Sequence, residues 1–128
     1  MNQEILVVSS DRDEGLLFFN VDNCEIIASI KFGPKDDLYS QGIIQRLNLV
    51  VSGSITGMVR LIDMTKKDAF LKMDYIQSNK YTNCAAIIEH SHLKAGVRTI
   101  SVSEAPEEKF IAFGTELGHV DIYEVDNL

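Results

Sequence analysis

At 128 residues the chain has the length of one compact domain. Its 45% apolar and 24% charged residues are the composition of a core-forming protein, which excludes wholesale disorder and low-complexity architecture. Nineteen acidic side chains against twelve basic ones leave a net charge of −7, a field that opposes phosphate backbones and anionic lipid surfaces, so nucleic acid is not an expected partner. Along the chain, no stretch carries sustained helical periodicity. Short β-rich runs bounded by Gly, Asp, Asn and Ser recur instead, and they predict strands over 5–8, 16–21, 25–31, 43–47, 49–53, 58–63, 69–75, 97–102, 109–114 and 119–125. Apolar runs such as 16–19 and 49–51 fall far short of the roughly 20 residues of a membrane span, so no membrane insertion is expected. The start, Met-Asn-Gln-Glu-Ile-Leu-Val-Val, lacks the pattern of a secretory signal, and a cytoplasmic location is the expectation. Cys24 and Cys84 have neither metal-ligand nor CxxC spacing and read as reduced packing residues.

The chain repeats itself. Residues 49–64 align without a gap on 110–125 at an offset of 61, placing Gly53 on Gly114, Gly57 on Gly118 and Val59 on Val120. In both segments an apolar strand ends at one glycine, turns through three residues to a second, and resumes as an alternating strand, which describes a β-hairpin. A looser copy runs from Ile5 to Val21. There Ile5 falls on Leu49 and Gly15 on Gly57, with a turn two residues longer. These five glycines, Gly15, Gly53, Gly57, Gly114 and Gly118, read as structural turn residues.

A repeat interval of 42 to 44 residues with about four strands in each copy resembles the WD-repeat β-propeller family, whose repeats each form one four-stranded blade. The resemblance implies a partial propeller of about three antiparallel blades over a single unit, 1–128, with blade-like repeats at about 1–35, 36–76 and 94–128. Strands 43–47, 49–53, 58–63 and 69–75 would be the four strands of the middle blade. The chain has no tryptophan, and Ile62-Asp63 and Tyr123-Glu124 stand where the family's Trp-Asp dipeptide would be. A β-sandwich or open barrel is the alternative. Three blades cannot close a ring, so the unit is expected to be completed by the remainder of a longer propeller, by self-association or by another protein.

The middle-to-last interval is longer than the first by 17 residues, which places an insertion at about 77–95. Its polar start, apolar middle and His-x-His end make Tyr81, Ile87, Ile88, His90 and His92 a candidate partner-binding loop. Glu89, His90 and His92 have metal-ligand side chains, but nothing beside them completes a tetrahedral set, and solvated loop histidines are expected. Asp11, Asp13 and Glu14 read as an acidic hairpin tip, since the EF-hand spacing fails. With neither a phosphate loop nor a GxSxG elbow in the sequence, no catalytic, cofactor or metal residue is nominated. The resulting expectation is a non-catalytic protein-binding scaffold, with an enzyme or small-ligand-binding β domain as the alternative.

Overall fold

Side chains that alternate across short β-rich runs give ten strands and no α-helix among the described residues, 4–10, 15–30, 32, 37–69 and 86–128 of the computed structural model. The strands are β1 (Ile5–Ser10), β2 (Gly15–Asn20), β3 (Ile26–Ile30), β4 (Leu38–Ile44), β5 (Leu49–Ser54), β6 (Met58–Asp63), β7 (Ile87–His92), β8 (Val97–Val102), β9 (Phe110–Thr115) and β10 (Val120–Glu124). They form three antiparallel sheets, β1-β2-β3, β4-β5-β6-β7 and β8-β9-β10, so the fold is all-β. No described helix is long and apolar enough to cross a membrane.

The sheets lie face to face as three layers with the four-stranded sheet in the middle. Neighbouring residues of a strand point to opposite sides, and the middle sheet uses both sides for the core. Val50 and Ile62 pack with Val7, Phe18, Ala28 and Ile30 of the first sheet. Val51, Val59 and Leu61 pack with Val97, Ile111 and Phe113 of the third. This double burial explains why 49–51 reads as a continuous apolar run. Polar bonds fix the spacing between layers: Gln41 Nε2 donates to the Val7 carbonyl at 2.6 Å, and Ser40 Oγ donates to the Val97 carbonyl at 2.9 Å. On the side facing β8 the sheet is flattened by glycines, since a Cβ at Gly42 would lie 2.7 Å from Ile100 Cγ2 and one at Gly53 2.6 Å from Val97 Cγ1.

The two gap-free copies fold alike. Gly53 and Gly114, read as turn residues, instead lie inside β5 and β9 opposite Val59 and Val120, while Gly57 N–H donates to Ser54 O and Gly118 N–H to Thr115 O, each at 3.1 Å, so only the second glycine of each pair serves the turn. In the first copy the strand register differs from the sequence alignment. Val7 opposes Phe18 as Val51 opposes Leu61, so Leu16 stands where Val59 stands and the first turn is one residue longer rather than two. Gly15 opens β2 at φ +72°, a turn glycine as expected but one position out of register.

Two strands of the middle sheet also depart from the sequence reading. Its first strand is Leu38–Ile44 rather than 43–47, because Gln45–Leu47 turns in a 3-10 helix ended by Asn48 at φ 52°. Its fourth is Ile87–His92, paired with β6, whereas Met64–Ala69 forms 3-10 turns and 70–75 lie outside the described residues. The segment read as an insertion therefore supplies the outer strand.

The third sheet is latched to the middle one by a carboxylate. Glu108, nearly covered and at φ 43°, accepts the backbone N–H of Arg46 at 2.8 Å and of Gln45 at 3.0 Å, satisfying the open donors at the start of the 3-10 turn. Arg46 in turn donates from Nε to the Glu107 carbonyl at 2.8 Å and from Nη2 to Asp126 at 2.7 Å. The Arg46 and Gln45 N–H groups, and then the Arg46 charge, hold the Glu108 carboxyl below the usual value of 4.5, against the opposing effect of burial. A carboxyl depressed in the folded state stabilises the fold above its unfolded value and loses that contribution as pH falls through the folded one. Glu108→Gln is expected to lower the melting temperature by a few degrees at pH 7 and to flatten the decline in stability below about pH 4.5, read by calorimetry between pH 3 and 7. An unchanged acid limb would show that the latch does not titrate.

Candidate functional site

β7 carries most of the residues singled out as a partner-binding segment. Among the described residues it pairs with β6 alone, and its side chains alternate between the two neighbouring layers. Ile87 is buried toward the first sheet, while Ile88 is 53% exposed. A register shift at Val59/Arg60 leaves His90 without a directly opposed partner on β6. Its ring meets Tyr123 of β10 edge-on at 5.6 Å between centroids. His92 Nε2 lies 2.7 Å from the Thr56 carbonyl, and since a carbonyl only accepts, the ring proton sits on Nε2. The histidines are thus strand rather than loop residues, His90 half-buried against Tyr123 and His92 exposed but bonded to Thr56. Tyr81, like Cys84 and the acidic tip at 11–14, lies outside the described residues.

Between the end of β7 with the residues that follow it and β10 runs a cleft of about 400 Å³, lined by His92, Lys94, Thr115, His119, Asp121 and Tyr123 among others. It collects two of the chain's three histidines, and the third, His90, packs on its wall residue Tyr123. Sequence separation hides this, because His119 is brought to β7 only by the stacking of the third sheet on the second. Among the described residues there is no group of three or more His, Cys, Asp or Glu side chains placed to hold a metal ion. The cleft offers histidine and hydroxyl groups for hydrogen bonding, the Lys94 ammonium, the Asp121 carboxylate and the Tyr123 ring.

Two other features stand apart from the nominated segment. Arg60 is buried between the first two layers, its guanidinium 4.1 Å from the Phe32 ring centre and its Nε 3.9 Å from Glu89. Its place in an alternating strand carried no signal of this, since Phe32 lies 28 positions away. The apolar outer faces are the second feature. On the first sheet Leu6, Val8 and Ile26 are exposed beside Leu17 and Phe19. On the third sheet Phe110, Val120 and Ile122 are exposed, and Phe110 and Ile122 with Ala112, Ser101 and Ser103 frame a shallow cleft of about 420 Å³. The repeated hairpin made exposed ends predictable; which side chains stand there follows only from the register.

By sequence, no protein-family model and no curated protein matches this chain. By structure, solved chains do match. The crystal structure of the computationally designed Ika4 protein aligns with a TM-score of 0.61 at 13% sequence identity, over 98% of this chain and 62% of that one. At such identity the likeness shows the fold alone. The chain spans less than two thirds of that structure, so the arrangement of three sheets occurs there within a longer chain.

Proposed function

We propose that the chain is a non-catalytic protein-binding scaffold, a propeller segment of the WD-repeat kind that works within a larger protein or assembly. The observation that carries this reading is the pair of apolar outer sheet faces at the two ends of the stack, since a soluble chain keeps such surface for contact with other proteins. The propeller part is supported by a repeated placement: β5 lies against β8 as β1 lies against β4, so the step from first to second sheet recurs from second to third. Protein partners are the expected ligands, with no cofactor assigned.

A photo-crosslinking residue placed at Leu6, Val120 or Ile122 of the protein in its own cells tests the reading, with Leu117 in the β9–β10 turn as control. Discrete adducts to one and the same protein, of this or another sequence, from Val120 and Ile122, and not from Leu117, are expected. Adducts to no protein from any of these positions would overturn the scaffold reading.

A further inference from the structure

We propose that the outer face of the third sheet and the outer face of the first are the two halves of one interface, and that a second copy of this chain supplies the missing half at each end, closing two chains head to tail. The inference rests on the propeller reading above. Its basis is the equivalence of positions between sheets. At the offset of 61, Leu49, Val51, Val59 and Leu61 of the middle sheet correspond to Phe110, Ala112, Val120 and Ile122 of the third. The first four belong to, or pack on, the layer covered by the third sheet; the second four stand on the outside.

The other end carries the complementary face. Leu6 opposes Phe19 as Val50 opposes Ile62 and as Ile111 opposes Tyr123. In the middle and third sheets these pairs receive the preceding sheet and pack into the core layers, whereas in the first sheet Leu6 is 55% exposed. Each end therefore presents the kind of face that the opposite end meets twice inside the chain. The faces also lack charge where it would matter. On a chain of net charge −7, Leu6, Val8, Leu17, Phe19 and Ile26 at one end and Phe110, Ala112, Val120 and Ile122 at the other are uncharged, and Glu124, opposite Phe110 at the end of β10, stands at the rim of its face as Asp63 stands opposite Leu49 in the middle sheet, so two copies can approach with the centres of both faces free of charge. A second copy brings both faces at once, and the six sheets of the pair fall within the four to eight blades with which propellers typically close.

Sedimentation equilibrium of the 128-residue chain at micromolar concentration tests this, with twice the monomer mass of 14.3 kDa expected. Leu6→Glu and Ile122→Glu each place a charge in both junctions of the closed pair and should weaken dimerisation at least about 100-fold. Both residues are exposed in the single chain, so each variant should keep its cooperative unfolding, read by circular dichroism. Mixing the two variants restores one unmodified junction and should return a dimer. A wild-type monomer, a dimer that survives Ile122→Glu, or a mixture that stays monomeric overturns the head-to-tail interface. In each of those cases the crosslinks to other proteins from the same faces would still decide the scaffold reading separately.

Discussion

Phe113→Ala should destabilise the protein by about 3–5 kcal/mol, enough to leave a domain of this size largely unfolded in mild denaturant. The ring is fully buried, is the largest fully buried side chain of the layer between the second and third sheets, and meets Tyr123 edge-on at 5.7 Å. Truncation leaves a cavity walled by strands of two sheets, whose backbone ladders hinder collapse. Phe110, three residues earlier on the same strand, points to the other side and is 41% exposed, so Phe110→Ala should cost less than about 1 kcal/mol. Urea denaturation of the two variants compares them directly. Equal costs would mean that β9 does not separate an inner from an outer face.

The second large effect concerns two glycines that the sequence makes equivalent. Gly57 and Gly118 close the same turn at φ +96° and φ +82°, so an alanine at either carries left-handed strain of about 1–2 kcal/mol. Their surroundings differ. A Cβ at Gly57 would lie 2.3 Å from the Leu93 carbonyl oxygen and 2.9 Å from that of Ala95, backbone atoms that cannot swing aside. At Gly118 nothing lies within 4 Å. Gly57→Ala is therefore expected to cost about 3 kcal/mol or more, since it also disturbs the Leu93 N–H bond to the Gly57 carbonyl, while Gly118→Ala costs only the strain. Similar melting temperatures for the two variants would show that the chain at 93–95 does not pass over the middle turn.

The contrast between these glycines shows which part of the fold was legible in the amino-acid order. Turn chemistry is local, so the hairpins at Gly53–Gly57 and Gly114–Gly118 could be read from spacing, and so could the double burial of the strand at Leu49. The start of β4 could not. Leu38-Tyr-Ser-Gln-Gly lacks an apolar pattern because Ser40 and Gln41 bond to neighbouring sheets and Gly42 admits Ile100, demands that arise only from stacking. The same holds for β7, whose place beside β6 depends on a pairing across more than twenty residues, and for Glu108, which caps a turn 62 positions earlier. Of the candidate binding segment, Ile88, His90 and His92 were found by composition. The convergence of His90 and His92 with Tyr123 and His119 belongs to the stacking of sheets, which no local signal records.

At the centre of this account stands a middle sheet covered on both faces, and two adjacent residues report on it. With methyl-labelled protein, nuclear Overhauser contacts from Val50 should reach side chains of the first sheet, such as Phe18 and Ala28, and those from Val51 should reach Ile111 and Phe113 of the third. Contacts from both valines to the same sheet, or from Val51 to no residue beyond its own, would contradict the three-layer stack.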